Sequence, residues 1–284
     1  MNKKNKNILL ITPCADQDQV QDMWLSPNLG EEKMNNNDLQ KMMVNLLAKD
    51  TEPYVDLPNH NSFKNHTKES EVLINQNRRQ LEKFRFFINS FDFLNDSQIY
   101  GDYFEFGVHK ARTFRMALSC AKFYNIKGIS FHAFDSFEGL PDFGDTLIEQ
   151  WQPKELCTTV DQFMSLINNH GLYLENIECH KGFYEDSLNE ELKNSMAHNK
   201  TMMITVDCDF YQSAVSVFEF IEPFLQHGTV IYLDDVFAGF TDSSKGGTLQ
   251  AFREFEQISS FNFMPHQHIG WWGRSFIAKK LNNT

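Results

Sequence analysis

The sequence predicts an α/β fold with a doubly wound, mostly parallel sheet, and three observations support this fold class. Short apolar runs alternate with segments of helical spacing from about residue 72 to the end of the chain. This alternation is typical of parallel strands with helices on both faces of the sheet. A length of 284 residues with 27 phenylalanines supplies enough apolar surface for one large core. Four predicted strands end in, or soon before, an acidic residue.

The predicted elements follow one another as helix, strand and helix units. Apolar residues at helical steps indicate a helix from about Val72, and Thr113 is the predicted cap of the helix that follows the first strand. A further helix is predicted over 214–221 and another over 249–258. The predicted strands cover residues 103–108, 129–134, 177–180, 202–206, 228–233 and 276–278.

The polarity of the chain predicts its division into two parts. Residues 1–70 are rich in Asn, Gln, Asp and Lys, which indicates a polar and partly mobile N-terminal extension. Residues 71–284 contain the strand and helix alternation and form the predicted domain. Within it, residues 142–169 are long for a connection between strands, so we expect a helical lid over the site.

Composition narrows the classes of partner. The net charge of −12 disfavours nucleic acid, whose phosphates need a basic surface. Five scattered cysteines without a C-x-x-C pair argue against a disulfide scaffold and favour a reducing compartment. No apolar run approaches the ~18 residues of a membrane span. We therefore expect a cytoplasmic, bacterial-type protein with a small-molecule partner, no membrane span and no nucleic acid; a homo-oligomer is compatible with the chain.

The turn after the first predicted strand contains Gly107, which lets a ligand approach the backbone closely. The glycine spacing of a dinucleotide fingerprint is missing, because His109 and Arg112 stand at the later positions. A nicotinamide-dependent oxidoreductase is therefore disfavoured. An ordinary tight turn is the alternative interpretation.

Acidic residues close three further strands. Asp135 at the end of the second strand is placed to accept hydrogen bonds from a ribose diol, although a solvated strand-end acid is the alternative. Asp207, Asp209, Asp234 and Asp235 end two other strands. Carboxylates gathered at one sheet edge repel each other unless a cation or shared protons offset their charge. Oxygen ligands of this kind suit Mg²⁺ or Ca²⁺, and two unrelated, solvated strand ends are the alternative.

Four segments together resemble the macrocin O-methyltransferase family. They are F-D-S-F-E-G-L-P at 134–141, H-K-G-F-Y-E-D-S-L at 180–188, V-D-C-D-F-Y-Q-S at 206–213 and G-T-V-I-Y-L-D-D-V at 228–236. The resemblance covers about residues 75–280 in the family's order. It implies the Rossmann-like fold of class I methyltransferases, which use S-adenosyl-L-methionine (SAM), with residues 71–284 as the methyltransferase domain.

The resemblance also implies roles for individual residues. The chain departs from the family's pattern at two positions near the turn after the first predicted strand. Ala111 stands where the family usually has glycine, and Arg112 follows where a small residue is usual. The division of ligand and base between Asp207 and Asp209 stays open. The resemblance implies that Glu105 and Gly107 contact the methionine part of SAM, that Asp135 and Ser136 contact its ribose, and that Gly182 and Phe183 lie beside its adenine. It implies Mg²⁺ binding by Asp207, Asp234 and Asp235, with a further cofactor contact for Asp207. The implied general base is Asp209.

The implied activity is the Mg²⁺-dependent transfer of a methyl group from SAM to a hydroxyl. The acceptor would be a sugar, a nucleotide-sugar or a glycosylated small molecule. Two alternatives stay open, namely N-methylation of an amide-type small molecule and a catalytically inactive SAM-fold binding protein. The four retained acids argue against the inactive protein, because a site without function has no physical need for such repulsion.

Overall fold

A computed structural model of the chain describes residues 68–142, 154–237 and 247–281. Residues Arg78–Thr284 form one compact unit. Of the predicted extension 1–70, only the last three residues lie within the described part, where they begin a helix. No helix in the described ranges combines the length and apolarity needed to cross a bilayer.

Helices and strands alternate along the described chain. Two 3₁₀ turns, Leu174–Asn176 and Glu222–Phe224, accompany them. The helices are α1 (Lys68–Asp96), α2 (Arg112–Phe123), α3 (Val160–His170), α4 (Tyr184–Ser187), α5 (Glu190–Ser195), α6 (Tyr211–Ile221) and α7 (Thr248–Ile258). The strands are β1 (Asp102–Phe106), β2 (Phe131–Asp135), β3 (Ile177–Lys181), β4 (Thr201–Val206), β5 (Val230–Leu233), β6 (Phe261–Ile269) and β7 (Gly273–Lys280).

The seven strands form one sheet in the order β3-β2-β1-β4-β5-β7-β6. Strands β1 to β5 are parallel, whereas β7 runs antiparallel to both β5 and β6. The register pairs Phe106 with Val206, and Val206 with Leu233, so β1, β4 and β5 end side by side. This arrangement confirms the predicted doubly wound, mostly parallel sheet.

Burial explains which strands the sequence reveals. Every residue of β1, β4 and β5 is buried, and strands covered on both faces read as continuous apolar runs. The two faces carry different helices: Tyr103 of β1 packs against Phe114 of α2, and Phe106 packs against Phe220 of α6. Edge strand β3 is only partly buried, and its sequence signal is correspondingly weak.

The structure corrects the predicted cap of α2. Ala111, not Thr113, is the N-cap residue, and no side chain caps the helix. Thr113 lies inside the first turn, where its hydroxyl donates a hydrogen bond of 2.5 Å to Glu105 Oε1. A fully buried carboxyl group needs such a donor, so the Thr113 hydroxyl serves Glu105.

The C-terminal hairpin also differs from the prediction. Strand β7 is longer than the predicted 276–278, and β6 was not predicted. Its middle carries Pro265 followed by polar residues, and the pairing with β7 shifts between Pro265 and His268. An edge strand with a proline and an irregular register lacks the apolar alternation that marks a strand.

The described part of the predicted lid contains α3, which connects β2 to β3. Phe163 and Ile167 of α3 are fully buried, and the Phe163 ring centroid lies 5.3 Å from that of Phe114. This helix is packed into the core. Residues 143–153 lie outside the described ranges, so closure of 142–169 over the site stays a prediction.

Candidate functional site

The backbone brings the ends of three strands together. The Asp207 amide donates to the Phe106 carbonyl and the Asp234 amide donates to the Val206 carbonyl, each at 2.9 Å. Gly107 has a φ of +88°, and a Cβ at this position would lie 1.9 Å from the Asp207 carbonyl oxygen. Only glycine tolerates both the close approach and the positive φ. Gly107 therefore allows the β1 turn to pack directly against the end of β4.

Three predicted metal ligands converge at this edge. Asp207, Asp234 and Asp235 each present a carboxylate oxygen within 4.8 Å of the others. We call these three residues the acid cluster. Asp209 and Asp235 have positive φ values of 63° and 47°, which are uncommon for residues other than glycine and are often found at functional sites.

Two basic side chains of α1 enter the acid cluster. Lys83 Nζ donates to Asp234 Oδ2 at 2.6 Å and to Asp207 Oδ2 at 3.1 Å. Arg79 donates from Nη2 to Asp235 Oδ1 at 2.7 Å, and its guanidinium carbon lies 4.9 Å from the Trp272 ring centroid. The buried cluster is therefore partly neutralised by side chains of the protein itself.

The sequence interpretation missed both basic residues. Arg79 and Lys83 are four residues apart, which places them on one face of a helix. Lys83 is only 8% exposed, and its neighbour Phe84 is 1% exposed. A lysine on the apolar face of a predicted helix indicates a buried partner of opposite charge, and this signal points to the acids at the strand ends.

The pKa values of the four acids are shifted in different directions. Burial acts to raise the pKa of Asp234, but Lys83 and Arg79 outweigh it and lower the pKa to about 2. Tyr232 also donates to Asp234 Oδ1 at 2.7 Å. Burial and the neighbouring carboxylates raise the pKa values of Asp207, Asp209 and Asp235 above the ordinary range. Four carboxylates face two basic groups, so the fully ionised site has an excess of two negative charges.

Asp135 ties the β1 turn to the β2 turn. Its Oδ2 accepts hydrogen bonds from the Val108 amide at 2.9 Å and the His109 amide at 3.3 Å. Its Oδ1 accepts from the Phe137 amide at 2.8 Å. Asp135 is thus a half-buried acid with backbone partners, unlike the solvated strand-end acid that was the alternative interpretation.

The residues predicted beside the ribose and adenine lie together at the ends of β2 and β3. Ser136 Oγ donates to the Gly139 carbonyl at 2.6 Å and closes the turn after β2. The Gly182 amide donates to the Asp135 carbonyl at 3.0 Å, and Phe183 is the N-cap residue of α4. Hydrogen bonds therefore join the loops after β2 and β3 at the same edge of the sheet.

An open cavity of about 520 Å³ adjoins these turns. This volume lies in the usual range of small-molecule sites, about 300–1,000 Å³. Because Phe137, Glu138 and Lys181 contribute to its wall, the cavity lies on the β2 and β3 side of the edge. The lining residues are Phe137, Glu138, Lys154, Cys157, Thr159, Val160, Asp161 and Lys181.

Glu105 lies in β1, directly before Phe106 and the Gly107 turn, and is fully buried. Both oxygens accept hydrogen bonds, Oε2 from the Tyr103 hydroxyl and Oε1 from Thr113. Burial raises its pKa to about 7, although the two hydroxyl donors act in the opposite direction. These contacts hold Glu105 in place, and its contact with methionine stays a prediction.

Ala111 adopts a left-handed conformation, which suits the glycine that the sequence resemblance implies at this position. Its φ is 57° and its ψ is 25°, and its amide donates to the Val108 carbonyl at 2.7 Å. The turn therefore keeps its shape with alanine, at a cost in backbone strain. Arg112, the second departure from the family's pattern, is the first residue of α2.

Strand order and strand direction together define the fold of a class I methyltransferase, with β7 inserted antiparallel between β5 and β6. Residues 30–276 match the model of the macrocin-O-methyltransferase (TylF) family. The chain belongs to this family, as the sequence resemblance predicted.

Solved structures share this fold at low sequence identity. The O-methyltransferase NovP is 16% identical with a TM-score of 0.61, over 87% of this chain and 100% of that chain. The calicheamicin methyltransferase CalS11 is 14% identical with a TM-score of 0.55, over 87% of this chain and 97% of that chain. Among curated proteins, no sequence matches this chain significantly.

Proposed function

We propose that this protein transfers a methyl group from SAM to a hydroxyl of a sugar, a nucleotide-sugar or a glycosylated small molecule, and that Mg²⁺ assists the reaction. The observation that carries the proposal is the convergence of Asp207, Asp234 and Asp235 within 4.8 Å, beside the Gly107 turn. Membership in the macrocin-O-methyltransferase family supports the reaction type. The sugar class of the acceptor follows from the sequence resemblance.

The ends of β1, β2 and β3 would hold the cofactor. The first amides of α2 have no partner within the helix and favour an anionic group, such as the carboxylate of a methionine moiety. Asp135 accepts three backbone hydrogen bonds, and an ionised carboxylate has about four acceptor positions. The fourth position faces the Ser136 hydroxyl at 3.5 Å, a long contact because that hydroxyl also donates to the Gly139 carbonyl at 2.6 Å. A ribose hydroxyl would replace this weak contact. Gly182 and Phe183 would lie beside the adenine.

The acid cluster has the donor set that Mg²⁺ prefers. It offers hard carboxylate oxygens at one point of the sheet edge, and the four acids exceed the two basic groups by two charges. Asp207, Asp234 and Asp235 would hold the ion. A bound Mg²⁺ fixes the direction of hydroxyl groups and lowers their pKa.

Asp209 is the residue that we assign as proton acceptor. Burial and the neighbouring Asp207, Asp235 and Asp234 raise its pKa above the ordinary range, and a raised pKa suits a general base. In the proposed step, Asp209 takes the hydroxyl proton while the acceptor oxygen forms a bond to the methyl carbon. The carbon–sulfur bond breaks, and its electron pair stays on sulfur, which becomes a neutral thioether. Alignment of the two reactants contributes about 7–11 kcal/mol in well-oriented systems.

A screen of activated sugars with SAM, read by mass spectrometry, tests the proposal. We expect one acceptor to gain a methyl group, with S-adenosylhomocysteine formed in equal amount and the rate dependent on Mg²⁺. Calorimetric titration with SAM, with and without Mg²⁺, separates the alternatives. SAM binding without transfer to any sugar, amide or phenol would favour the inactive binding protein.

A further inference from the structure

The Lys83 ammonium lies between two carboxylates of the acid cluster. It contacts Asp234 Oδ2 at 2.6 Å and Asp207 Oδ2 at 3.1 Å, and these residues supply two of the three ligands in the acid cluster. The Lys83 side chain is 10% exposed. Burial acts to lower its pKa, but Asp207 and Asp234 raise it above the ordinary value. Lys83 is therefore a buried cation held by the acids themselves.

Both oxygens of Asp234 are engaged. Oδ1 accepts from the Tyr232 hydroxyl at 2.7 Å. Oδ2 accepts from Lys83, and Arg79 Nη2 lies 3.7 Å from the same oxygen. A divalent ion on Oδ2 would share one buried oxygen with an ammonium, and two cations at that distance repel strongly in a medium of low polarity. The ion and the Lys83 contact therefore exclude each other at Asp234.

We propose that the Lys83 ammonium and a divalent cation are alternative occupants of the acid cluster, so that α1 sets the affinity for the metal. The inference rests on the proposed function, because it concerns the same site. The exchange lowers the excess negative charge from two to one, since a double charge replaces a single charge while Arg79 stays. The apo protein keeps its acids paired, and the metal enters by displacing a side chain.

The two basic residues differ in their freedom to leave. Lysine carries a compact charge on a flexible four-carbon chain, so its ammonium can withdraw without movement of the helix. Arg79 is fixed between Asp235 and the face of Trp272, which is 2% exposed. Lys83 is therefore the group that exchanges, whereas Arg79 stays and orients Asp235.

Titration of the protein with Mn²⁺, followed by the loss of free-ion electron paramagnetic resonance signal, tests the inference without SAM or acceptor. Lys83→Gln removes the charge and keeps an amide donor for the carboxylates. We expect this variant to bind Mn²⁺ about tenfold or more tightly than the wild type, within the usual range of coupling between sites. Arg85→Gln is the matched control, because Arg85 is on the same helix with its side chain 58% exposed, and its affinity should equal that of the wild type.

A second measurement uses the wild-type chain alone, in case Lys83→Gln fails to fold. Acylation of lysines, quantified by mass spectrometry, should modify Lys83 several-fold faster with saturating Mn²⁺ than without it. Exposed Lys127 serves as the internal reference. Unchanged or weaker Mn²⁺ binding by Lys83→Gln, or Lys83 acylation that ignores Mn²⁺, would overturn the inference. Neither result bears on methyl transfer, which the acceptor screen tests separately.

Discussion

Two groups of carboxylates lie on the same sheet edge and are satisfied in different ways. At the ends of β1 and β2, Glu105 and Asp135 accept hydrogen bonds from hydroxyls and backbone amides, which are neutral donors. At the ends of β4 and β5, the acid cluster is satisfied largely by the charged side chains of Lys83 and Arg79.

The two kinds of hydrogen-bond donor have different consequences for the carboxylates that they bind. A carboxylate bound to backbone amides fixes the course of a turn, because its donors are part of the chain. A carboxylate bound to a lysine can exchange that partner for another cation. We therefore expect the β1 and β2 ends to hold the proposed cofactor and the β4 and β5 ends to bind the proposed ion.

The largest effect is expected at Asp209. Asp209→Asn removes the proposed proton acceptor, and general bases typically contribute about 100-fold to 10,000-fold to a rate. We expect methyl transfer to fall within that range, with SAM affinity unchanged in calorimetry. Asp96→Asn, at the exposed end of α1, is the control and should keep full activity. Retained activity in Asp209→Asn would shift the role of base to another residue.

Asp234→Asn tests the carboxylates that are held by charged side chains. It leaves the buried Lys83 with one acidic partner fewer, and removal of one member of a buried ion pair costs about 3 kcal/mol. We expect a loss of unfolding free energy of that size in urea titrations. Mg²⁺-dependent turnover should be abolished and SAM affinity should be nearly intact. Equal loss of SAM binding and turnover would contradict the separation of the two groups.

Glu105→Gln tests a carboxylate held by neutral donors, through the pH dependence of the unfolding free energy. The folded-state pKa of Glu105 is about 7 against an ordinary value of 4.5, so the folded protein binds this proton more tightly than the unfolded chain. Stability from this group is present below pH 4.5 and is lost as pH rises to 7, by about 3 kcal/mol. The difference in unfolding free energy between the wild type and Glu105→Gln should change by that amount across this window. A difference independent of pH would count against the buried, protonatable Glu105.

Asp135→Asn is the counterpart of Asp234→Asn. An amide group in place of one carboxylate oxygen faces backbone N–H donors, and an unmade hydrogen bond costs about 1–3 kcal/mol. We expect SAM affinity to fall about tenfold to hundredfold and Mn²⁺ affinity to stay unchanged. A variant that loses Mn²⁺ binding while keeping SAM would reverse the assignment of the two groups.

Ala111→Gly gives the smallest effect. Alanine at a φ of 57° carries a left-handed strain of about 1–2 kcal/mol, whereas the buried methyl group contributes about 0.8 kcal/mol. The unfolding free energy should therefore stay the same or rise by up to about 1 kcal/mol. Ala117→Gly, in the interior of α2, is the matched control and should be destabilised. A similar loss in both variants would show that Ala111 is not strained.

The sequence predicted the parts of the molecule that depend on local pattern. The buried strands β1, β4 and β5 appear as short apolar runs, and the acids that follow them are adjacent because parallel strands end at one edge. Two of the segments that resemble the family, 206–213 and 228–236, contain these acids. The sequence alone therefore predicts the acids at 207, 234 and 235 as one group.

The missed features depend on tertiary contacts. Lys83 is a partner of acids more than a hundred residues away, and helical spacing alone does not identify that pairing. Threonine is a residue type that often caps helices, yet the Thr113 hydroxyl donates its hydrogen bond to the buried Glu105 carboxylate. Strand β6 forms because it pairs with β7. Its own sequence, with Pro265 and polar neighbours, lacks the pattern that predicts a strand.

Anomalous diffraction at a manganese absorption wavelength, from crystals grown with S-adenosylhomocysteine and Mn²⁺, tests where the metal, the nucleoside and the Lys83 ammonium lie. We expect one anomalous peak bound by Asp207, Asp234 and Asp235, with the Lys83 ammonium moved away from Asp234 and the nucleoside at the ends of β2 and β3. Bound S-adenosylhomocysteine with Lys83 still between Asp207 and Asp234, and no manganese at saturating concentration, would contradict this expectation.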